Sequence, residues 1–146
     1  MKEDKSTEII NWETKYETGI KRVDFEHKIF LELINSFKIA IDNNRPEDEL
    51  VRIIIEIEKY AVFHFISEEN FMNSIEYPEY KNHQIQHFDL LEKFNLAKFD
   101  KQGFPKFYDF IKEWFINHTI YEDRKIKDFI IEKNIDIEKF YYNISI

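Results

Sequence analysis

The sequence contains no cysteine. This absence excludes disulfide bonds, thiolate catalysis and cysteine-ligated clusters, so any metal site has to use histidine and carboxylate side chains. Glycine is present only twice and proline three times in 146 residues. Such a shortage of turn residues disfavours a β-sandwich, a β-barrel and a glycine-rich phosphate loop. An all-α fold is the expectation that remains.

Basic residues are outnumbered, with 21 Lys and Arg against 29 Asp and Glu, which leaves a net charge of −8. Nucleic acid and anionic lipid surfaces are therefore poor partners, because both bind through positive charge. No apolar run approaches the roughly 18 residues of a membrane span, and the segment MKEDKSTEII lacks the apolar stretch of a signal peptide. We expect a cytoplasmic protein with a single domain spanning residues 1–146.

Four segments carry apolar residues at alternating spacings of three and four, which is the period of helices packed in a bundle. Each of the three prolines stands at the start of such a segment, where helices tolerate proline best. Short connections predict an up-down-up-down antiparallel four-helix bundle. An N-terminal arm with Trp12 as its anchor and a short C-terminal helix complete the expected domain. The predicted ranges are 1–18 for the arm, 20–42, 46–74, 78–98 and 105–132 for the bundle helices, and 136–143 for the terminal helix.

All five histidines fall on the apolar seams of these helices, and the fourth seam continues from His118 to Tyr121. A lone core histidine usually has only a hydrogen-bonding role, and one HxxxH or HxxxE arises often by chance. Here an HxxxE motif and an HxxxH motif occur on two of the helices, and each of the other two carries one histidine on its seam. Several buried imidazoles without partners would cost several kcal/mol. The pattern therefore favours a metal site, and the number of ligands favours two ions. Six candidate ligands lie on these seams, and a further carboxylate would make seven. The six are His27, His64, Glu68, His83, His87 and His118.

Two neighbouring carboxylates compete for the position of the seventh ligand. Asp123 follows His118 by five residues, which on an α-helix turns it away from the direction of His118. Glu122 follows by four and points more nearly along it, although solvated helix surface is the simpler interpretation for Glu122. Helix geometry alone does not select Asp123.

Five features resemble the hemerythrin family, in particular its single-domain bacterial members. They cover nearly the whole chain and are Trp12, VDFEHKIFLELIN, YAVFHFISEENFM, HQIQH and WFINHTIYED. The family pattern HxxxxD implies that Asp123 is the seventh ligand. The resemblance also implies a non-haem centre of two iron ions joined by an oxo or hydroxo bridge, with dioxygen as its ligand.

The resemblance assigns His83, His87 and His118 to one iron. It assigns His27 and His64 to the other, with Glu68 and Asp123 bridging both. At about six positions per iron, these groups and one bridging oxygen leave a single open position, at the two-histidine iron. The implied function is reversible dioxygen binding for storage, transport or delivery, without catalysis. The alternatives are an oxygen or redox sensor acting through a separate, unidentified protein partner, an enzyme acting on peroxide or nitric oxide, and a purely structural bundle.

An apolar pocket beside the open position would keep water from the bound ligand. The candidate pocket residues are Phe30, Phe65, Trp114 and Phe115, although plain core packing is the commoner role of each. Thr119 departs from the branched aliphatic residue that is common in the family after the last histidine. Its hydroxyl either reaches the open position or bonds back to a carbonyl of its own helix.

Overall fold

The computed structural model describes residues 8–99 and 103–139, and within these ranges all regular structure is helical. A π-helical turn, His118–Glu122, joins the last two α-helices without a loop. Short 3-10 turns cover Thr14–Tyr16 and Ile137–Lys139. The α-helices are α1 (Lys21–Asp42), α2 (Glu47–Ser74), α3 (Tyr80–Ala97), α4 (Phe104–Asn117) and α5 (Asp123–Glu132).

Helix α1 packs against α2 and α4, and α3 packs against α2 and α4. Connections of four and five residues, 43–46 and 75–79, force consecutive helices to run antiparallel. The predicted all-α four-helix bundle is confirmed. Each proline lies at or near a helix start: Pro46 directly precedes α2, Pro78 stands two residues before α3, and Pro105 is the second residue of α4. No helix within the described ranges is long and apolar enough to cross a membrane.

The described part of the predicted arm lies along α1. The backbone N–H of Ile10 donates to Asn35 Oδ1, and Asn35 Nδ2 donates back to the carbonyl of Ile10, both at 2.8 Å. Trp12 is half-buried against the bundle core, and the ammonium of Lys28 sits 5.1 Å from the centre of its ring. Residues 1–7 of the arm lie outside the described residues. So do residues 140–143 of the predicted terminal helix, of which the structure describes only a 3-10 turn.

Two apolar clusters fill the interior, one on each side of a polar layer. Along α1, for example, Val23 belongs to one cluster, Phe30 to the other, and His27 lies between them. Fully burying one such apolar side chain stabilises the fold by roughly 1.5–3 kcal/mol, so the two clusters hold the polar layer in place. The larger cluster includes Phe30, Ile34, Phe37, Ile54, Ile57, Phe94, Phe107 and Ile111. The smaller comprises Ile20, Val23, Phe71, Met72, Ile75, Tyr77 and Ile126.

The fourth bundle helix departs from the sequence prediction in one respect. It was expected to be a single α-helix over 105–132, but the π-helical turn interrupts it at His118–Glu122. The prediction that Tyr121 continues the core seam is wrong, because its side chain is 64% exposed. A π-turn holds more residues per turn than an α-turn, so every residue after His118 lies on a different face from the one that α-helical periodicity assigns.

Candidate metal centre

The seven predicted ligands meet in the polar layer, and none is more than 7% exposed. His27 comes from α1, His64 and Glu68 from α2, and the remaining four from α3 and the fourth bundle helix. Their ligating atoms form two groups, within each of which all atoms lie within 4.8 Å of one another. One group consists of His27, His64, Glu68 and Asp123, and the other of Glu68, His83, His87, His118 and Asp123.

Glu68 belongs to both groups and presents one carboxylate oxygen to each. Its Oε1 lies 2.6 Å from His83 Nε2 and 3.1 Å from His87 Nε2. Its Oε2 lies 3.4 Å from His64 Nε2 and 3.8 Å from His27 Nε2. A carboxylate whose two oxygens face different groups of imidazoles has the geometry of a bridge between two cations.

The two carboxylate oxygens of Asp123 also face different groups. Its Oδ1 lies 3.1 Å from both His83 Nε2 and His118 Nε2, while its Oδ2 lies 3.0 Å from His27 Nε2. The two carboxylates therefore stand between a group with two imidazoles and a group with three.

The π-helical turn is the local feature that brings Asp123 into this site. On an α-helix, a residue five positions after His118 would be rotated from it by about 140°. Here the backbone N–H of Asp123 donates to the carbonyl of His118, the i to i+5 bond that defines a π-turn. The wider turn places both side chains on one face. The carboxylate of Glu122 instead lies outside both groups, 3.2 Å from Lys125 Nζ.

The electrostatics of the layer favour bound cations. Glu68 Oε2, both carboxylate oxygens of Asp123, and His27 Nδ1 are buried without a hydrogen-bond partner among the described residues. Burial disfavours a charged imidazole, but Asp123 and Glu68 outweigh it and raise the pKa of His27 to about 10. Burial likewise opposes the ionisation of Glu68, yet its histidine neighbours hold its pKa well below the usual value. The carboxylates thus stay ionised and attract positive charge into the core.

Comparison with known proteins agrees with this donor set. A family model described as the hemerythrin HHE cation binding domain matches residues 18–130, the region that contains all seven candidate ligands. The chain belongs to the hemerythrin family. This membership confirms the resemblance found in the sequence motifs.

Several relatives with hemerythrin names align with most of the chain. The chain is 29% identical over 126 residues to a bacteriohemerythrin of Clostridium acetobutylicum, a match that covers 80% of this chain and 98% of the relative. It is 27% identical to a hemerythrin of Sipunculus nudus, over 82% of this chain and 92% of that one. It is 26% identical to a hemerythrin-like protein of Naegleria gruberi, over 80% and 90% of the two chains.

A small cavity of about 10 Å³ adjoins the two-imidazole group of this hemerythrin-family site. Its volume is close to the minimum that one water molecule requires. All five predicted pocket residues line it together with three of the histidines. The lining residues are His27, Phe30, His64, Phe65, Trp114, Phe115, His118 and Thr119. Thr119 itself is only 3% exposed.

An open groove of about 620 Å³ runs between α3 and α4 on the outside of the bundle. Trp114 and His118 line both this groove and the internal cavity. Trp114 is fixed by its indole N–H, which donates to the carbonyl of Leu90 at 3.1 Å. One layer of side chains therefore separates the cavity from solvent on this side.

Two carboxylates that the sequence prediction missed contact the outer edges of the candidate ligands. Glu26 Oε1 lies 2.8 Å from His64 Nδ1, and Glu69 Oε2 lies 2.8 Å from His87 Nδ1. Glu26 had a usable signal in the sequence, because it stands three residues after Val23 and four before Phe30, at a seam position. The sequence contains no such signal for Glu69, because only its contact with His87 distinguishes it from the surface glutamates of α2.

Proposed function

We propose that the seven-residue site of this hemerythrin-family protein holds two iron ions and binds dioxygen reversibly, for oxygen storage, transport or delivery. The proposal depends mainly on the orientation of the Glu68 and Asp123 carboxylates. Each of them has one oxygen toward the two-imidazole group and the other toward the three-imidazole group. The hemerythrin relatives support iron as the metal and dioxygen as the ligand.

The two groups differ in how many protein ligands they offer. His83, His87 and His118 together with both carboxylates would hold one metal with five protein donors, and a bridging oxygen would bring the number to about six. His27 and His64 with the same carboxylates would hold the other metal with four, which would leave an open position there. A pair of ferrous ions, when bound, supplies the electrons for reversible dioxygen binding. The adjoining cavity lies on the side of the group with fewer ligands, which supports its role as the ligand pocket.

The ligand set favours carriage over catalysis. Five neutral imidazoles and only two carboxylates form a less anionic shell than the glutamate-rich sites of the ferritin-like di-iron proteins. Phe30, Phe65 and Phe115 line the cavity and exclude water from the open position. Both features favour release of the ligand unchanged.

Reversible oxygenation tests this function directly. Protein loaded with iron should contain about two irons per chain. After anaerobic reduction it should gain a visible absorption in air and lose it again when oxygen is removed. Binding of a single metal, or irreversible bleaching at the first exposure to air, would contradict the proposal. Sustained consumption of a reductant in the presence of peroxide or nitric oxide would favour an enzyme.

Thr119 provides a prediction about the lifetime of the oxygenated protein. If its hydroxyl admits water to the cavity, Thr119→Val and Thr119→Ile should both slow autoxidation by about 3- to 10-fold, which corresponds to about 0.6–1.4 kcal/mol. Thr119→Ser keeps the hydroxyl and should not slow it. Autoxidation rates are compared at one pH and equal iron content. Equal rates for the wild type and both aliphatic variants would show that Thr119 is ordinary packing.

A further inference from the structure

Glu26 is a buried carboxylate outside the ligand set, with only 4% of its surface exposed. Its Oε1 accepts the hydrogen bond from His64 Nδ1 at 2.8 Å. Its Oε2 accepts from Ser67 Oγ at 2.9 Å and from Arg22 Nε at 3.0 Å. Its own backbone carbonyl accepts from the hydroxyl of Tyr60 at 2.7 Å. The carboxylate of Glu26 thereby joins two residues of α2 to Arg22 of α1, and its backbone carbonyl holds a third residue of α2.

This arrangement determines both the tautomer and the direction of His64. Arg22 Nε and Ser67 Oγ both donate to Oε2 of Glu26, so this carboxylate is paired with a guanidinium and acts as an acceptor. Its other oxygen, Oε1, accepts from His64, so Nδ1 of His64 carries the hydrogen. His64 Nε2 then presents its lone pair to the two-imidazole group. Outer carboxylates of this kind orient the imidazole ligands of metals.

Glu69 holds a corresponding place in the other group, with weaker support. Its Oε2 accepts from His87 Nδ1 at 2.8 Å, and its Oε1 accepts from Gln84 Nε2 at 3.0 Å. Its side chain is 15% exposed, against 5% for the side chain of Glu26. Among the described residues, no charged side chain donates to Glu69 in the way that Arg22 donates to Glu26.

We infer that Glu26 is a positioning residue for one metal of the pair, acting through His64 alone, and that Glu69 does the same for the other metal through His87. The inference rests on the proposed two-metal function and goes beyond it, because it makes the two metal affinities separately adjustable. Glu26 has the larger effect, since its carboxylate is the more deeply buried and the more fully bonded.

Titration of the ion-free protein with cobalt(II) tests the assignment, with calorimetry and the visible cobalt spectrum as readouts. Wild-type protein should show two binding events. Glu26→Ala should weaken by about 10- to 100-fold the event that His64→Ala removes, and leave the other unchanged. Glu69→Ala should weaken the event that His87→Ala removes, by a smaller factor. Glu26→Gln keeps an acceptor of the same shape toward His64 and should recover most of the lost affinity.

Two comparisons distinguish positioning from loss of packing. Adding Glu26→Ala to His64→Ala should change the remaining binding event no further, because Glu26 acts only through His64. Glu49→Ala removes an exposed glutamate that pairs with Arg45 one turn earlier, and should leave both events intact. Equal weakening of both events by Glu26→Ala, or an additional loss in the double variant, would overturn the inference. Fewer than two events in the wild type would instead contradict the proposed function.

Discussion

Glu68→Ala is expected to remove both metals from the protein. Glu68 is shared by the two ligand groups and presents one carboxylate oxygen to each. Its loss also leaves Asp123 as the one carboxylate among the candidate ligands to balance the protonated imidazoles of His27, His83 and His118, and breaking a buried ion pair on one side costs roughly 3–5 kcal/mol. After loading with iron, elemental analysis should find well under one metal per chain, against the about two expected for the wild type under the proposed function. Thermal unfolding of the ion-free variant should begin at a clearly lower temperature.

The histidine variants provide the matched controls for this loss. His87 belongs to the three-imidazole group alone and His27 to the two-imidazole group alone. His87→Ala and His27→Ala should therefore each retain close to one metal, whereas Glu68→Ala retains almost none. Glu68→Gln preserves the shape of the side chain, so circular dichroism on that variant separates loss of charge from loss of fold. Retention of two metals by folded Glu68→Gln would contradict the bridging assignment.

The ion-free protein should lose stability as the pH rises from about 6.5 to about 10. The carboxylates Asp123 and Glu68 outweigh burial and raise the pKa of His83 to about 10 and that of His118 to about 9, as they do for His27. A raised histidine pKa contributes stability that is fully present below the unfolded value near 6.5. That contribution disappears as the pH rises through the folded values.

Acid acts on the same cluster through its carboxylates. Histidine neighbours outweigh burial and lower the pKa of Glu68 and of Asp123. The contribution of these carboxylates to folding stability is therefore present above about pH 4.5 and is lost on acidification.

Bound metal replaces the protons of the imidazoles, so the loaded protein should not show the alkaline decline in stability. Thermal unfolding of ion-free and loaded protein at pH 6.5, 8 and 10 checks this. Parallel curves for the two forms would show that the histidine cluster does not couple protonation to stability.

The amino-acid sequence by itself determined the class of the fold and the chemistry of the site. Sparse glycine and proline and the spacing of apolar residues predicted the helices, because a buried helical face repeats every three or four residues. The absence of cysteine left only histidine and carboxylate as metal ligands, and the seam positions of His27, His64, His83 and His87 directed them inward. These properties depend on local periodicity, which the sequence contains directly.

Only the tertiary structure decided which groups meet, because those contacts depend on helix register and on neighbours distant in sequence. The π-turn moves Asp123 onto the face of His118 and moves Tyr121 to the surface, and α-helical periodicity predicts the opposite for both. Family resemblance had implied Asp123, but the widened turn is the physical reason for its position. Glu26 and Glu69 emerge as partners of the ligands only once α1, α2 and α3 are packed side by side.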